Sequence, residues 1–410
     1  MSAPAKILIV TNGQLSRNPR VVKEAAALGT AGHEVTVLAV RNHAPSEAAD
    51  LGLLRDAPYR REVVDMLPSG ALRGFGRRLG LWLARDATRR FGWQTPRAFG
   101  PFGPLLRRAQ ARAADLTLVH NEVAHCVGVR LLATGRRVAA DFEDWHSEDL
   151  LPSDRTHRPL PLLRATERTL LHRATHTTTT SHALAAALHA RYGGARPHVV
   201  GNSFPLQPPP VRAAPGDPPA FFWFSQTLGP GRGLEQFLAA WARTRHASRV
   251  VLLGEARTDY AARLRDLVPA ERRDRLEFHP LVPPGELPAF IARHDIGLAL
   301  EQPFIVNRDL TITNKILQYL NAGLAVVASD TAGQREVLAH APAAGIVVET
   351  HETTAFAAAL DQLLADRPGL AARQHAARRL AESTYCWERE APRLLALVAA
   401  ALRQPVPGRT

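Results

Sequence analysis

Cysteine is nearly absent. Cys126 and Cys386 are the only two in 410 residues, and neither has a neighbour at metal-ligand spacing. That excludes a disulfide-stapled secreted scaffold and a zinc module built on thiolates. Long apolar runs are missing too: the longest, Leu394 to Leu402, falls far short of the ~18 residues a bilayer-spanning helix needs. Lys6 leads directly into a short strand-like run, without the layout of a signal peptide. A cytoplasmic protein is expected.

Lysine is also scarce, occurring only as Lys6, Lys23 and Lys315, so nearly all of the 51 basic residues are arginine. Set against 38 acids they give a formal net charge of +13. Such an excess suits nucleic acid. Yet there is no zinc-finger spacing, no RNP-like aromatic motif and no block of five consecutive bases. An anionic membrane surface or a phosphorylated ligand accounts for the charge equally well, and nucleic acid is not an expected partner. Two nucleotide fingerprints are absent as well. Neither GxGxxG nor GxxxxGK[ST] occurs where a strand meets a helix, which disfavours a standard dinucleotide fold and a P-loop.

What remains is a globular composition, 46% hydrophobic and 22% charged, at a length that suits two or three domains. Lys6 to Thr11 (KILIVT) reads as a buried parallel strand broken by Asn12-Gly13. Arg20 to Thr30 has helical spacing, and His33 to Val40 is the next strand, which completes a βαβ unit. Strand-like runs return at Leu116 to Val119, Arg137 to Phe142, His176 to Thr180 and His198 to Val199. Leu206 to Ala220 holds six prolines and no periodicity, so it reads as a linker. A second alternation follows, with strands at Phe221 to Ser225, Val250 to Leu253, Leu276 to His279, Ile296 to Leu300, Ala325 to Ser329 and Ile346 to Val348. Helices fit between them at Leu234 to Thr244, Asp259 to Leu267, Glu286 to Arg293, Asn314 to Asn321 and Gln334 to Ala339. The expected architecture is α/β, two Rossmann-like doubly wound domains facing across a cleft. The expected division is 1–205, a linker at 206–220, a second domain at 221–385, and a C-terminal helical segment at 386–410.

Two stretches of the second half carry candidate chemistry. Gly229-Pro230-Gly231-Arg232-Gly233 follows the strand FFWFSQ and precedes a helix. Glycines at such a turn let backbone amides approach a phosphate, and Arg232 would add a mobile positive charge. An ordinary tight turn is the plain alternative. The second stretch, TNKILQYLNAGLAVVASDTAGQREV from Thr313 to Val337, starts a helix at Asn314 with Lys315 in its first turn. A cation there opposes the helix dipole unless an anion lies nearby. Gln318 is one turn further along the same face, and Gly333 belongs to a second strand-to-helix turn. A solvated helix start is the plain alternative.

In this order the motifs resemble the GT-B glycosyltransferases, specifically the retaining family 4 type. The resemblance covers nearly the whole chain. It rests on KILIVTNGQLSRNPRVVKEAAAL, GHEVTVL and VVGNSFP in the first half, and on SQTLGPGRGLEQFLAAW, LLGE, HDIGLALE and the block from Asn314 to Val337 in the second. It implies a nucleotide-sugar held by the second domain, an acceptor held mainly by the first, and a C-terminal helix that returns to the first. No metal or other cofactor is implied. Arg232 matches the base that grips the donor diphosphate, and the second base of that pattern, six positions earlier, is replaced by Gln226. The paired glutamates of the family fall on Leu310 and Gln318, with Glu301 or Asp309 as possible compensation. Asn12, Gly13, Ser225, Gln226, Gly231, Gly254, Leu281, Asn314, Gln318 and Gly333 are the donor-binding candidates that follow.

Asp141 to Asp149 (DFEDWHSED) packs five carboxylates and His146 after a first-domain strand. The resemblance places a histidine or an acid at this strand end, beside the reacting sugar. Glu143 or Asp144 is the first choice and His146 the third, joining Arg232 and Lys315 as catalytic candidates. A Mg²⁺ site on the carboxylates and a solvated acidic loop are the alternatives. Leu72 to Trp93 carries six arginines, one acid and two tryptophans, with Leu72, Phe75, Leu79 and Trp82 at helical spacing. That profile suits a helix lying on anionic lipid and hence a lipid-linked acceptor. Gly74, Gly76 and Gly80 weaken the helix, and an acceptor loop lining the cleft competes with it. The reading is a retaining transferase moving a sugar from a nucleoside-diphosphate donor to a hydroxyl of a glycan, lipid-linked or small-molecule acceptor. Its rival is a catalytically silent GT-B-like binding subunit.

Overall fold

The computed structural model describes residues 4–67, 72–150, 155, 158–208, 218–256 and 258–405. The chain divides into two compact units, one formed by Met1–Val200 with Ala391–Thr410 and the other by Gly201–Glu390.

The first unit is built on a seven-stranded sheet: β1 Lys6–Val10, β2 Glu34–Arg41, β3 Arg60–Asp65, β4 Leu116–His120, β5 Val138–Phe142, β6 Thr177–Thr179 and β7 His198–Val199. Every pairing is parallel, in the order β3-β2-β1-β4-β5-β6-β7. Strands sandwiched by helices on both faces read as continuous apolar runs, and β1, β4 and β5 are buried almost throughout. The helix Pro19–Thr30 starts one residue before its expected N-terminus. Asn18 accepts a hydrogen bond from Val21 N, and Pro19 occupies the first helical position. Val21, Ala25 and Leu28 then face the sheet, fully buried.

The second unit has six parallel strands: β8 Ala220–Leu228, β9 Arg249–Ala256, β10 Leu276–His279, β11 Ile296–Ala299, β12 Ala325–Ser329 and β13 Gly345–Val348, in the order β10-β9-β8-β11-β12-β13. The alternation of β8 divides its aromatics between two cores. Phe221 and Trp223 enter one layer, and Phe222 and Phe224 the other. The register of β8 shifts between Phe224 and Thr227, so Ser225 and Gln226 sit on a bulge.

One strand is unforeseen, one pair of alternatives is decided and one expectation changes. β3 was not foreseen, because RREVVD lacks an apolar run; it is an edge strand held by Arg61, which binds Asp50 and Glu47. The segment with glycines at 74, 76 and 80 is a continuous helix, Leu72–Phe91, and not a loop. Open space surrounds the Cα of Gly76 and of Gly80, so these glycines lower helix propensity without reporting a close approach. Gly333 lies inside the helix Ala332–Ala339, not in the turn that opens it. A Cβ there would strike the carbonyl of Thr311, which makes this glycine a packing requirement. Of the proline-rich stretch, 209–217 lies outside the described residues, while 206–208 and 218–219 carry no regular element.

Candidate functional site

In an open parallel sheet, ligands collect at the C-terminal ends of the strands where the order reverses. In the second unit that point lies between β8 and β11. The Gly229–Gly233 turn leaves β8 with φ of +74° at Gly231 and +75° at Gly233. These are left-handed values that favour glycine. A Cβ on Gly233 would also lie 2.6 Å from the carbonyl oxygen of Leu300, so the turn presses against the end of β11. Arg308 closes it from the other side, donating from Nη1 to the carbonyl of Gly231 at 3.1 Å. Arg232 projects from the same turn, half-buried, and is not part of any ion pair among the described residues.

Glu301 follows β11 and is only 6% exposed. Lys315 donates to it at 2.7 Å and lies 5.5 Å from the ring centre of Trp223. The anion demanded by a lysine at a helix start is therefore Glu301, a protein carboxylate. Lys315, a catalytic candidate beside Arg232, thus directs its ammonium to a protein carboxylate. Burial would raise the carboxyl of Glu301, but Lys315, then Arg232 and Arg308, hold it below the usual range. Ser329, at the end of β12, donates to the Glu301 carbonyl and accepts from Gln334 Nε2 at 2.9 Å, which fixes the strand end. Asp309 caps the next helix by accepting from Ala332 N at 3.0 Å.

The structure thus gathers Gly231, Arg232 and Lys315 around Glu301. Asn314 and Gln318 are half-buried on the Lys315 helix, Asn314–Asn321. Ser225 and Gly254 meet across β8 and β9, where a Cβ on Gly254 would lie 2.5 Å from the Ser225 carbonyl oxygen. Gln226 is exposed on the bulge, and Leu281 is 41% exposed beyond β10 at the sheet edge.

In the first unit the order reverses between β1 and β4. Asn12 and Gly13 follow β1, and Asn121 follows β4 with φ of +70°, the only positive value at a non-glycine position among the described residues. Its Oδ1 accepts from Thr11 Oγ1 at 2.8 Å and from Asn12 N at 3.2 Å, joining the two strand ends. Backbone strain of this kind collects at functional sites. Asn12 itself donates to the Phe99 carbonyl at 3.1 Å.

Beside this point lies a buried charge network. The Arg20 fork donates to both oxygens of Asp141, at 2.8 and 2.6 Å, and to the Val200 carbonyl at 2.8 Å. Thr178 adds a hydrogen bond to Asp141 at 2.6 Å. His120 stands 3.1 Å from Glu24 and 3.3 Å from Asp141. Burial alone would lower the His120 pKa, but the two carboxylates outweigh it and push it up to about 10. Glu24, His120 and Asp141 converge closely enough to resemble a metal triad. The Arg20 guanidinium already occupies both Asp141 oxygens, so the donor set does not suit a cation.

Glu143 and Asp144 leave β5 half-buried. Burial, followed by the charge of Asp144, pushes the Glu143 carboxyl up to about 7. His146 is different: it is 8% exposed, in a short turn, with its ring 5.4 Å from that of His125. Ser147 anchors that turn through two hydrogen bonds to Glu167, at 3.0 and 2.8 Å. Sequence reasoning missed Arg20, His120, Asn121 and Arg308. Arg20 stood in plain view within RNPRVVKE, yet nothing local marks a helical arginine as fully buried.

Comparison with known proteins bears on the fold. Residues 219–366 match the family model described as glycosyl transferases group 1. No curated protein matches the chain in sequence. Sucrose-phosphate synthase from Thermosynechococcus elongatus is similar over 96% of this chain and 98% of its own, with 16% identity and a TM-score of 0.71. HepE from Anabaena, solved in complex with UDP-glucose, is similar over 97% of this chain and 100% of its own, with 17% identity and a TM-score of 0.69. WaaG, a glycosyltransferase involved in lipopolysaccharide biosynthesis, covers 95% of this chain and 99% of its own at 14% identity and a TM-score of 0.57. At such identities the likeness shows the fold. That fold is GT-B, as the motifs implied, and its second unit carries the match to the glycosyl transferases.

Proposed function

We propose that the protein transfers a sugar from a nucleoside-diphosphate donor to a hydroxyl acceptor, with retention of configuration and without a metal cofactor. One observation carries the reading: the Arg232 glycine turn and the Glu301–Lys315 pair flank the point of strand reversal in the second unit. Match to the glycosyl transferases over 219–366 supports it. So does the occurrence of UDP-glucose in the similar HepE structure.

In the transfer, the bond from the sugar anomeric carbon to the diphosphate oxygen breaks. A bond to the acceptor oxygen forms on the same face, and the acceptor proton passes to a diphosphate oxygen. Negative charge grows on the leaving diphosphate, where Arg232 and the amides of the glycine turn would meet it. Lys315 acts one step back, by fixing Glu301. Asn314, Gln318, Gly231, Ser225, Gln226, Gly254, Gly333 and Leu281 complete the donor side of this proposal. Asn12 and Gly13, first read as donor contacts, follow β1 of the first unit, and we place them with Glu143 and Asp144 on the acceptor side instead. With a pKa of about 7, Glu143 offers a neutral carboxyl and a carboxylate in comparable amounts near neutral pH. His146, being buried, orients the turn.

A lipid-linked acceptor at the cytoplasmic face of an anionic membrane fits the helix Leu72–Phe91, whose Phe75, Leu79, Trp82 and Leu83 are exposed beside arginines. No helix among the described residues is long and apolar enough to cross a membrane. The departures at Gln226 and Leu310 favour a second reading, a binding subunit without catalysis. A thermal-shift panel of nucleotide-sugars, followed by an assay for nucleoside diphosphate release with and without EDTA, separates the two. Release that depends on donor and acceptor and survives EDTA supports transfer. Stabilisation by a nucleotide-sugar without release supports the binding subunit. Loss with EDTA and recovery with Mg²⁺ would assign the Asp141 to Asp149 carboxylates to a metal instead.

A further inference from the structure

Charge does not balance at the end of β11. Glu301 and Lys315 neutralise each other at 2.7 Å. The carboxylate of Asp309 is turned to the Ala332 amide. Two half-buried guanidiniums remain, Arg232 and Arg308, and neither forms an ion pair among the described residues. They come from opposite sides of the strand reversal, Arg232 after β8 and Arg308 from the short helix Val306–Leu310 after β11. Arg308 is tied to the Gly231 carbonyl through one nitrogen at 3.1 Å. That bond uses one of its five N–H donors and sets the guanidinium against the residue next to Arg232. Both guanidiniums add to the field that keeps Glu301 ionised, but that carboxylate is already bonded to Lys315, so two partly desolvated cations face one shared acid and gain from a further anion.

We propose that Arg308 is the second cation of the phosphate site, binding the donor diphosphate jointly with Arg232. It would supply from across the strand reversal the positive charge that an uncharged Gln226 does not supply on β8. The planar fork of arginine suits two phosphate oxygens while its remaining nitrogen holds the glycine turn. This assignment rests on the donor reading above and extends it to a residue on a different element.

The test titrates UDP, GDP, dTDP and ADP into the full chain by calorimetry, at two salt concentrations. Wild type is compared with Arg308→Gln, Arg308→Lys and Arg232→Gln. One of the four diphosphates should bind wild type. Arg308→Gln should weaken it by about tenfold to a hundredfold, as expected for a lost hydrogen bond to a charged group. Its binding should also depend less on salt, because one cation has gone. Arg308→Lys should recover part of the affinity and most of the salt dependence. If Arg308→Gln binds like wild type while Arg232→Gln is weakened, the proposal fails and the donor reading stands. Equal loss in the glutamine and lysine variants, with unchanged salt dependence, would mean that Arg308 only braces the turn, and the proposal also fails. If wild type binds none of the four, the donor reading itself fails and this assignment goes with it.

Discussion

The strand ends of the two units treat charge in opposite ways. In the first, Arg20, Glu24, His120 and Asp141 are all buried and answer one another, two cations to two carboxylates when His120 is protonated. In the second, the buried Glu301 is closed by Lys315, while Arg232 and Arg308 are half-buried and belong to no ion pair among the described residues. Burial penalises an uncompensated charge, so a closed network reports a structural need and an open one reports a ligand. The contrast assigns work within each unit. The closed network fixes the end of β5, from which Glu143 and Asp144 emerge. The open cations are the ones proposed above to meet phosphate.

The sharpest way to break this contrast is to open the closed network. Asp141→Ala would leave Arg20 and His120 with Glu24 as their one carboxylate in the network, and breaking a buried pair typically costs ~3–5 kcal/mol. Denaturant unfolding of the full chain should show a loss of that order. The double variant Arg20→Met/Asp141→Leu should lose less than Asp141→Ala alone, since the buried guanidinium goes with its partner. A loss below about 1 kcal/mol for Asp141→Ala, the size of an ordinary surface effect, would mean that the network is not structural.

In the second unit the two cations should part company. Arg232→Ala should leave the melting temperature unchanged and lower kcat about a hundredfold to a thousandfold, equivalent to ~3–4 kcal/mol of transition-state stabilisation. Lys315→Ala should lower the melting temperature, because Glu301 is left buried and unpaired. Adding Glu301→Gln should restore much of that stability. If Lys315→Ala folds as well as wild type and fails only in kcat, Lys315 is itself a phosphate ligand and the closed pair is misread.

The fold was largely legible because parallel strands buried on both faces leave apolar runs such as KILIV and AVVAS, which need no long-range information. β3 was not legible: an edge strand has one neighbour and tolerates RREVVD. The site was legible where chemistry is local. Two positive-φ glycines around Arg232 announce a tight turn, and Lys315 announces an anion. The identity of that anion was not legible, because Glu301 is brought to Lys315 only by the packing of the helix Asn314–Asn321 on β11. Arg20 and Arg308 failed for the same reason. Their partners, Asp141 and Gly231, are distant in sequence.

Protonation distinguishes members within the first unit. Glu143 has its pKa raised from 4.5 to about 7, so the folded state holds the proton more tightly than the unfolded chain does. Its contribution is harmless below pH 4.5, grows unfavourable as pH rises towards 7, and is constant above. Glu143→Gln should therefore melt higher than wild type at pH 8, with the difference vanishing near pH 4. His120 has the opposite sign. Its folded pKa of about 10 makes a favourable contribution that is complete below its usual 6.5 and fades as pH rises through 10. His120→Gln should thus lose stability at pH 6, and lose less relative to wild type at pH 10.5. A pH-independent difference for either variant would deny its place in the network.

The smallest effect on folding is expected where the first unit turns a face to solvent. In the helix Leu72–Phe91, Ala84 and Thr88 are buried and Arg77 and Leu81 half-buried, a stripe at helical spacing that packs on the unit. Arg77 secures it by donating to the Asp65 carbonyl at 2.7 Å. Phe75, Leu79 and Trp82 form the opposite stripe and are 62%, 44% and 59% exposed. A water-facing stripe is ordinarily polar; this one is apolar and bordered by the exposed Arg78, Arg85, Arg89 and Arg90. Aromatics entering the lipid boundary with arginines at anionic headgroups would reconcile both features. Phe75→Ser/Trp82→Ser should change unfolding free energy by no more than about 0.5 kcal/mol, as exposed positions do. It should nevertheless lose most binding to vesicles containing phosphatidylserine or phosphatidylglycerol, since each buried large side chain is worth roughly 1.5–3 kcal/mol. Wild-type binding measured by sedimentation should rise with the anionic lipid fraction and fall with salt. Equal recovery of wild type with neutral and anionic vesicles, or full binding by the double variant, would remove the membrane from the proposal while leaving the phosphate site untouched.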